Sequence, residues 1–140
     1  MLKIIKPLFK TKISRPLFSV PVKAGFPSPA EEYIEAKLDL NKHLIAHPSS
    51  TYFVKVEGDS MVGVGIFSGD IVVVDRSLEP HHKDIVLAVV NGEFTIKRLL
   101  KYPNKAVLMA ENKNYPPIEI SNEEELQIWG VVVHSIRKFS

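Results

Sequence analysis

Apolar positions from residue 52 onward fall in short runs rich in β-branched and aromatic side chains, at 52–56, 71–75 and 85–90. Such side chains suit a pleated surface, so these runs predict strands. Asn91-Gly92 stands between one such run and the next. Both residues tolerate positive φ, which predicts a two-residue hairpin joining 85–90 to 93–99. Further strands are expected at 106–110, near 118–120 and at 128–136. The expected fold is mostly β, a compact curled antiparallel sheet.

Upstream the pattern changes. Ser28-Pro29-Ala30-Glu31 reads as a capping box with proline at the first helical position. Ala30, Tyr33, Ile34 and Leu38 then recur at helical spacing, so a short N-terminal amphipathic helix is expected over 29–38. Asp39 could cap a further turn carrying Leu40, Leu44 and Ile45, ended by Pro48. Before residue 28, Pro7, Pro16, Pro21 and Pro27 fix φ and remove donors, which predicts an extended and largely unpaired arm.

Charge sharpens that division. Residues 1–24 carry Lys3, Lys6, Lys10, Lys12, Arg15 and Lys23 and no acid, a charge of +6, whereas the remainder carries −4. A basic arm on a mildly acidic body can lie on its own domain or on an acidic partner. The 140 residues suffice for one domain, expected at 25–140 behind an arm at 1–24. There is no cysteine, which excludes disulfides, thiolate catalysis and cysteine-bound zinc. No apolar run is long enough to span a bilayer, and Lys3, Lys6 and Pro7 interrupt the first apolar stretch, so a cytoplasmic protein is expected. No metal or other cofactor is expected: His43 and His47 share helical spacing but lack a third ligand.

Two residues carry the candidate chemistry. Ser60, in Gly58-Asp59-Ser60-Met61, follows a predicted strand, where a turn can project its hydroxyl and nearby backbone N–H groups can hold an oxyanion. A plain turn serine is the alternative. The G-x-S-x-G hydrolase elbow does not fit, because Val62 stands where its last glycine belongs. Lys97 lies on the returning strand of the Asn91-Gly92 hairpin, sharing a face with Thr95 and Leu99. It is either a solvated cation or, if desolvated, a neutral base. His81, His82 and Asp84 offer a histidine-based alternative partner for Ser60, or simply a charged turn after Pro80.

Several blocks, in order, resemble the LexA/UmuD self-cleaving serine peptidases. They are Glu57-Gly58-Asp59-Ser60-Met61, Gly69-Asp70-Ile71-Val72-Val73-Val74-Asp75 and Gly92-Glu93-Phe94-Thr95-Ile96-Lys97-Arg98-Leu99. The similarity continues through Ala110-Glu111-Asn112-Lys113-Asn114-Tyr115-Pro116-Pro117-Ile118 and Trp129-Gly130-Val131-Val132. It implies that Ser60 is the nucleophile, Lys97 its base, and backbone groups at Asp59 and Ser60 the oxyanion donors. It also implies Ala24-Gly25 as the bond cut. The short proline-broken arm leaves no room for a helix-turn-helix, so the resemblance is to UmuD and its plasmid-borne relatives and implies no sequence-specific DNA binding.

On that resemblance the expected partners are a second copy in a homodimer, a RecA filament on single-stranded DNA that stimulates the cut, and a UmuC-type subunit of an error-prone translesion polymerase in the SOS response. Pro16-Leu17-Phe18 resembles the short motif with which related arms contact the polymerase sliding clamp; the alternative is that Leu17 and Phe18 dock the arm on the body. A peptidase fold that serves the polymerase without cutting is the competing functional reading.

Overall fold

The computed structural model describes residues 3–5, 13–18, 22–27, 34–121 and 125–140, with side chains except at 3–5, 18 and 34–36. Two compact units are present, one formed by residues 8–46 and the other by residues 1–7 together with 47–140.

In the smaller unit, β2 (Ser14–Phe18) pairs antiparallel with β3 (Ile34–Asp39). The arm is extended there, as proline requires, but it is not unpaired. Pro16 is tolerated because a two-stranded sheet consists only of edges. The helix expected over 29–38 is also corrected. Residues 34–39 form a strand, while the capping box at 28–31 lies outside the described residues. Ile34, Ala36 and Leu38 alternate with Glu35, Lys37 and Asp39, so the same residues fit a period of two as well as a helical one. A partner strand decides between them. The short helix comes one element later, as α1 (Leu40–Leu44), with Asp39 Oδ1 accepting from the Asn41 N–H at 3.0 Å as its N-cap.

The larger unit is an eight-stranded antiparallel sheet. Its strands are β1 (Lys3–Ile5), β4 (Thr51–Lys55), β5 (Ile71–Asp75), β6 (Ile85–Val90), β7 (Glu93–Lys101), β8 (Ala106–Met109), β9 (Ile118–Ile120) and β10 (Leu126–Ile136). They lie in the order β1-β4-β5-β10-β6-β7-β8-β9. The mostly β, antiparallel fold read from the pattern is therefore the observed one. Asn91 at φ 50° and Gly92 at φ 80° make the β6–β7 turn.

β6 explains its own unbroken apolar run. Leu87 packs with Val54, Val72, Val74, Met61 and Ile96, while Val86 and Ala88 pack with Leu99, Leu108 and Ile120. Its alternate side chains thus enter two different cores, and neither face is left to water.

β10 is the seam of the sheet. It pairs with β5 on one side and β6 on the other, with register shifts between Ile128 and Gly130 and between Val132 and His134. A Cβ on Gly130 would stand 2.5 Å from Val74 Cγ1, so only glycine lets the strands approach this closely.

Candidate active site

Ser60 belongs to the turn that leaves β4. Gly58 holds φ at +102°, a conformation that L side chains rarely adopt, and this reverses the chain after the strand. Met61, only 2% exposed, then drops into the core and fixes the turn from below. Ser60 is left half-buried at the rim, between the anchored methionine and the glycine turn.

Lys97 approaches from β7. Its residue is 8% exposed, and its Nζ donates to Ser60 Oγ at 3.1 Å, to Thr95 Oγ1 at 2.9 Å and to the Ile96 carbonyl at 3.2 Å. Thr95 and Lys97 share a strand face, as alternation requires. No carboxylate is paired with Lys97 among the described residues. Burial therefore acts on the ammonium without an opposing anion and pushes its pKa below the ordinary lysine value. This environment favours the neutral amine that a base requires.

Beside the pair lies a cleft of about 110 Å³, bordered by Gly58, Ser60, Met61, Phe94, Thr95 and Ile96. Its small volume favours a small side chain next to the serine.

A loop following β8 clamps the serine turn from the far side. Asn112 Nδ2 donates to the Asp59 carbonyl at 2.9 Å, and the Tyr115 hydroxyl donates to Asp59 Oδ1. The Asp59 carboxylate holds the Tyr115 phenol above its usual pKa, first through that hydrogen bond and then through its charge. Gly63 N–H donates to the Glu111 carbonyl at 2.7 Å, and a Cβ at Gly63 would meet that oxygen at 2.5 Å. Sequence reading gave Asn112 and Tyr115 no separate role. Their separations from Asp59 are 53 and 56 residues, so no local spacing reveals the clamp.

Other candidate residues are engaged elsewhere. His81 N–H donates to Asp84 Oδ2, and His82 Nδ1 accepts from the Lys101 N–H. These contacts tie the two histidines and Asp84 into the loop between β5 and β6 rather than to Ser60. His47 Nδ1 lies 2.6 Å from Asp75 Oδ2, and Asp75 also accepts from the Ser77 hydroxyl and N–H. Ala24 and Gly25 are exposed in a bend of the smaller unit. Leu17 is exposed on β2, and the Phe18 side chain lies outside the described residues. No helix among the described residues is long and apolar enough to cross a membrane.

Comparison with known proteins converges on one family. Residues 16–133 match the Peptidase S24-like family. The chain is 49% identical over 123 residues to protein SamA of Salmonella typhimurium, covering 88% of this chain and 85% of that protein. Protein MucA of Escherichia coli is 46% identical over 124 residues, covering 88% of this chain and 84% of MucA. The LexA repressor of Hahella chejuensis is 39% identical over 118 residues, or 84% of this chain and 58% of the repressor. The chain therefore belongs to the Peptidase S24-like family, the LexA/UmuD serine peptidases, and within it resembles the UmuD-like proteins.

Proposed function

We propose that the protein is a self-cleaving serine peptidase whose substrate is its own Ala24–Gly25 bond. The observation that carries this reading is the 3.1 Å contact between Ser60 Oγ and the Nζ of a buried lysine that has no carboxylate partner among the described residues. Neutral Lys97 takes the Ser60 proton as Oγ bonds to the Ala24 carbonyl carbon. Backbone N–H groups at Asp59 and Ser60 receive the developing oxyanion. Collapse of the tetrahedral species breaks the C–N bond, and Lys97 returns the proton to the departing Gly25 amine. Water, with Lys97 again as base, hydrolyses the ester and regenerates Ser60. Alanine before the bond suits the small cleft, and glycine after it adds no bulk.

The biological setting extends the family relationship. Cutting is stimulated by a RecA filament on single-stranded DNA. The trimmed homodimer then serves a UmuC-type translesion polymerase in the cytoplasm, as part of the SOS response. Leu17 and Phe18 are a contact for the polymerase sliding clamp or a docking point on the body. Removal of the arm also changes charge: the +6 segment leaves and a body of −4 remains.

Incubation at mildly alkaline pH tests the reaction. A fragment beginning at Gly25 should accumulate, and it should be lost in Ser60→Ala and in Lys97→Ala. Absence of that fragment, with and without RecA filaments, would reject self-cleavage in favour of a peptidase fold that only binds.

A further inference from the structure

The outer edge of β4 is covered by a strand from the arm. β1 pairs with it antiparallel, setting Lys3 opposite Lys55, Ile4 opposite Val54 and Ile5 opposite Phe53, and among the described residues no strand lies beyond β1 in the sheet order. The opposite side of this edge is already satisfied. Val56 N–H donates to the Asp70 carbonyl and Val56 O accepts from the Gly69 N–H, toward β5. By antiparallel alternation, Phe53 and Lys55 then turn their N–H and C=O groups the other way, toward β1. Without β1, β4 would present a row of unpaired backbone groups, a template for an added strand.

β1 is a weak occupant. Among the described residues three positions pair, and the register sets Lys3 opposite Lys55, two residues of like charge at one register position, which opposes pairing. Lys55 is exposed, so an incoming segment can reach its ammonium group. Covalent attachment keeps β1 at high effective concentration, an advantage that ends if the chain is cut between β1 and the body.

We propose that the β4 edge is a strand-acceptor site, which β1 occupies in the intact chain. A partner protein takes it afterwards by adding an extended segment that carries an acidic residue opposite Lys55 and aliphatic residues beside it. The site itself does not depend on self-cleavage; only its opening by cleavage rests on the reaction proposed above.

The test uses the full chain with Ser60→Ala, which blocks cutting, alone and combined with Ile5→Pro, which removes the N–H facing Phe53. The probes are two labelled peptides spanning residues 2–6, one natural and one with Lys3→Glu. In hydrogen exchange, Ile5→Pro should expose the Phe53 and Lys55 amides while β6 and β7 stay protected, which also reports that the chain is folded. The Glu peptide should bind this opened chain at least about tenfold more tightly than the closed chain, and several-fold more tightly than the natural peptide, restoring protection at both amides. As a second variant, Lys3→Glu within the otherwise intact Ser60→Ala chain should slow exchange at Lys55.

Equal binding to both chains, no preference for the Glu peptide, no binding, or unchanged exchange at Phe53 and Lys55 would each overturn the proposal. Because every chain here carries Ser60→Ala, these outcomes are independent of the Gly25-fragment assay that tests cleavage.

Discussion

Asn112 Nδ2 donates to the Asp59 carbonyl, and through the rigid trans peptide that contact fixes the direction of the Ser60 N–H. The N–H groups of Asp59 and Ser60 have no hydrogen-bond partner among the described residues. They remain available to an oxyanion, with that of Ser60 oriented by a side chain from a different loop. Asn112→Ala should slow appearance of the Gly25 fragment by about 10- to 100-fold, short of the loss expected for a direct oxyanion donor. The pH dependence of the rate should not move, because Lys97 is untouched. A shifted midpoint would place Asn112 in the environment of the base instead.

Lys97 should dominate the pH profile. Its folded pKa is lowered by burial, so self-cleavage should rise with pH and level off below the ordinary lysine value of about 10.4. Between the folded and unfolded pKa values the unfolded chain binds more protons, so global stability should also rise with pH in that window. Lys97→Arg, which cannot deprotonate, should cut the rate by about a thousandfold or more. Lys97→Met should be equally inactive yet melt a few degrees higher, since no cation then has to be buried. Calorimetry on the three chains checks the second half of this expectation.

The acid limb of stability should depend on Asp70. This carboxylate is 3% exposed and accepts from Arg137 Nε at 2.9 Å, Arg137 Nη2 at 2.8 Å and the Phe67 N–H at 2.8 Å. The Arg137 hydrogen bond is the main cause of its lowered pKa, opposed by burial and assisted by Phe67. A depressed folded pKa means stability present above the unfolded value of about 3.9 and lost as pH falls through the folded value. Asp70→Asn should lower stability at neutral pH and flatten the decline below pH ~4, as read from urea midpoints across that range.

Gly63 tests the clamp without altering any polar side chain. Its Cβ would meet the Glu111 carbonyl oxygen at 2.5 Å, and that oxygen is backbone, so it cannot swing aside. Gly63→Ala should destabilise the fold by about 1–3 kcal/mol, as overpacking does. It should also slow cutting more than Gly92→Ala does at the β6–β7 hairpin, where the strain falls on a turn at φ 80° outside the clamp. Similar rates in the two variants would mean that the clamp does not control the serine turn.

The body of the sheet was legible because its signals are local. β-branched runs mark β5 and β6, and Asn91-Gly92 marks the turn by backbone chemistry that few other residues permit. The smaller unit misled for an equally physical reason. Ile34 to Asp39 carries both periodicities, and the strand that resolves the ambiguity lies across a bend in a proline-rich segment. The approach of Ser60 to Lys97 is long-range, as are the contacts of Asn112 and Tyr115 with Asp59. Ordered motifs pointed to Ser60 and Lys97, whereas the clamp has no signature short of the folded chain.

The seam at β10 has a consequence for timing. Ser60 follows the β4–β5 half of the sheet and Lys97 belongs to the β6–β7 half, and β10 is the strand hydrogen-bonded between them. The two halves are therefore joined in the sheet by a strand that carries neither residue and that follows both of them in the chain. A nascent chain that has already exposed its arm, its serine and its lysine still lacks the span that aligns them. On the peptidase reading proposed above, the cut then waits for β10 to pair, so completion of the sheet itself sets when Ser60 and Lys97 can act together.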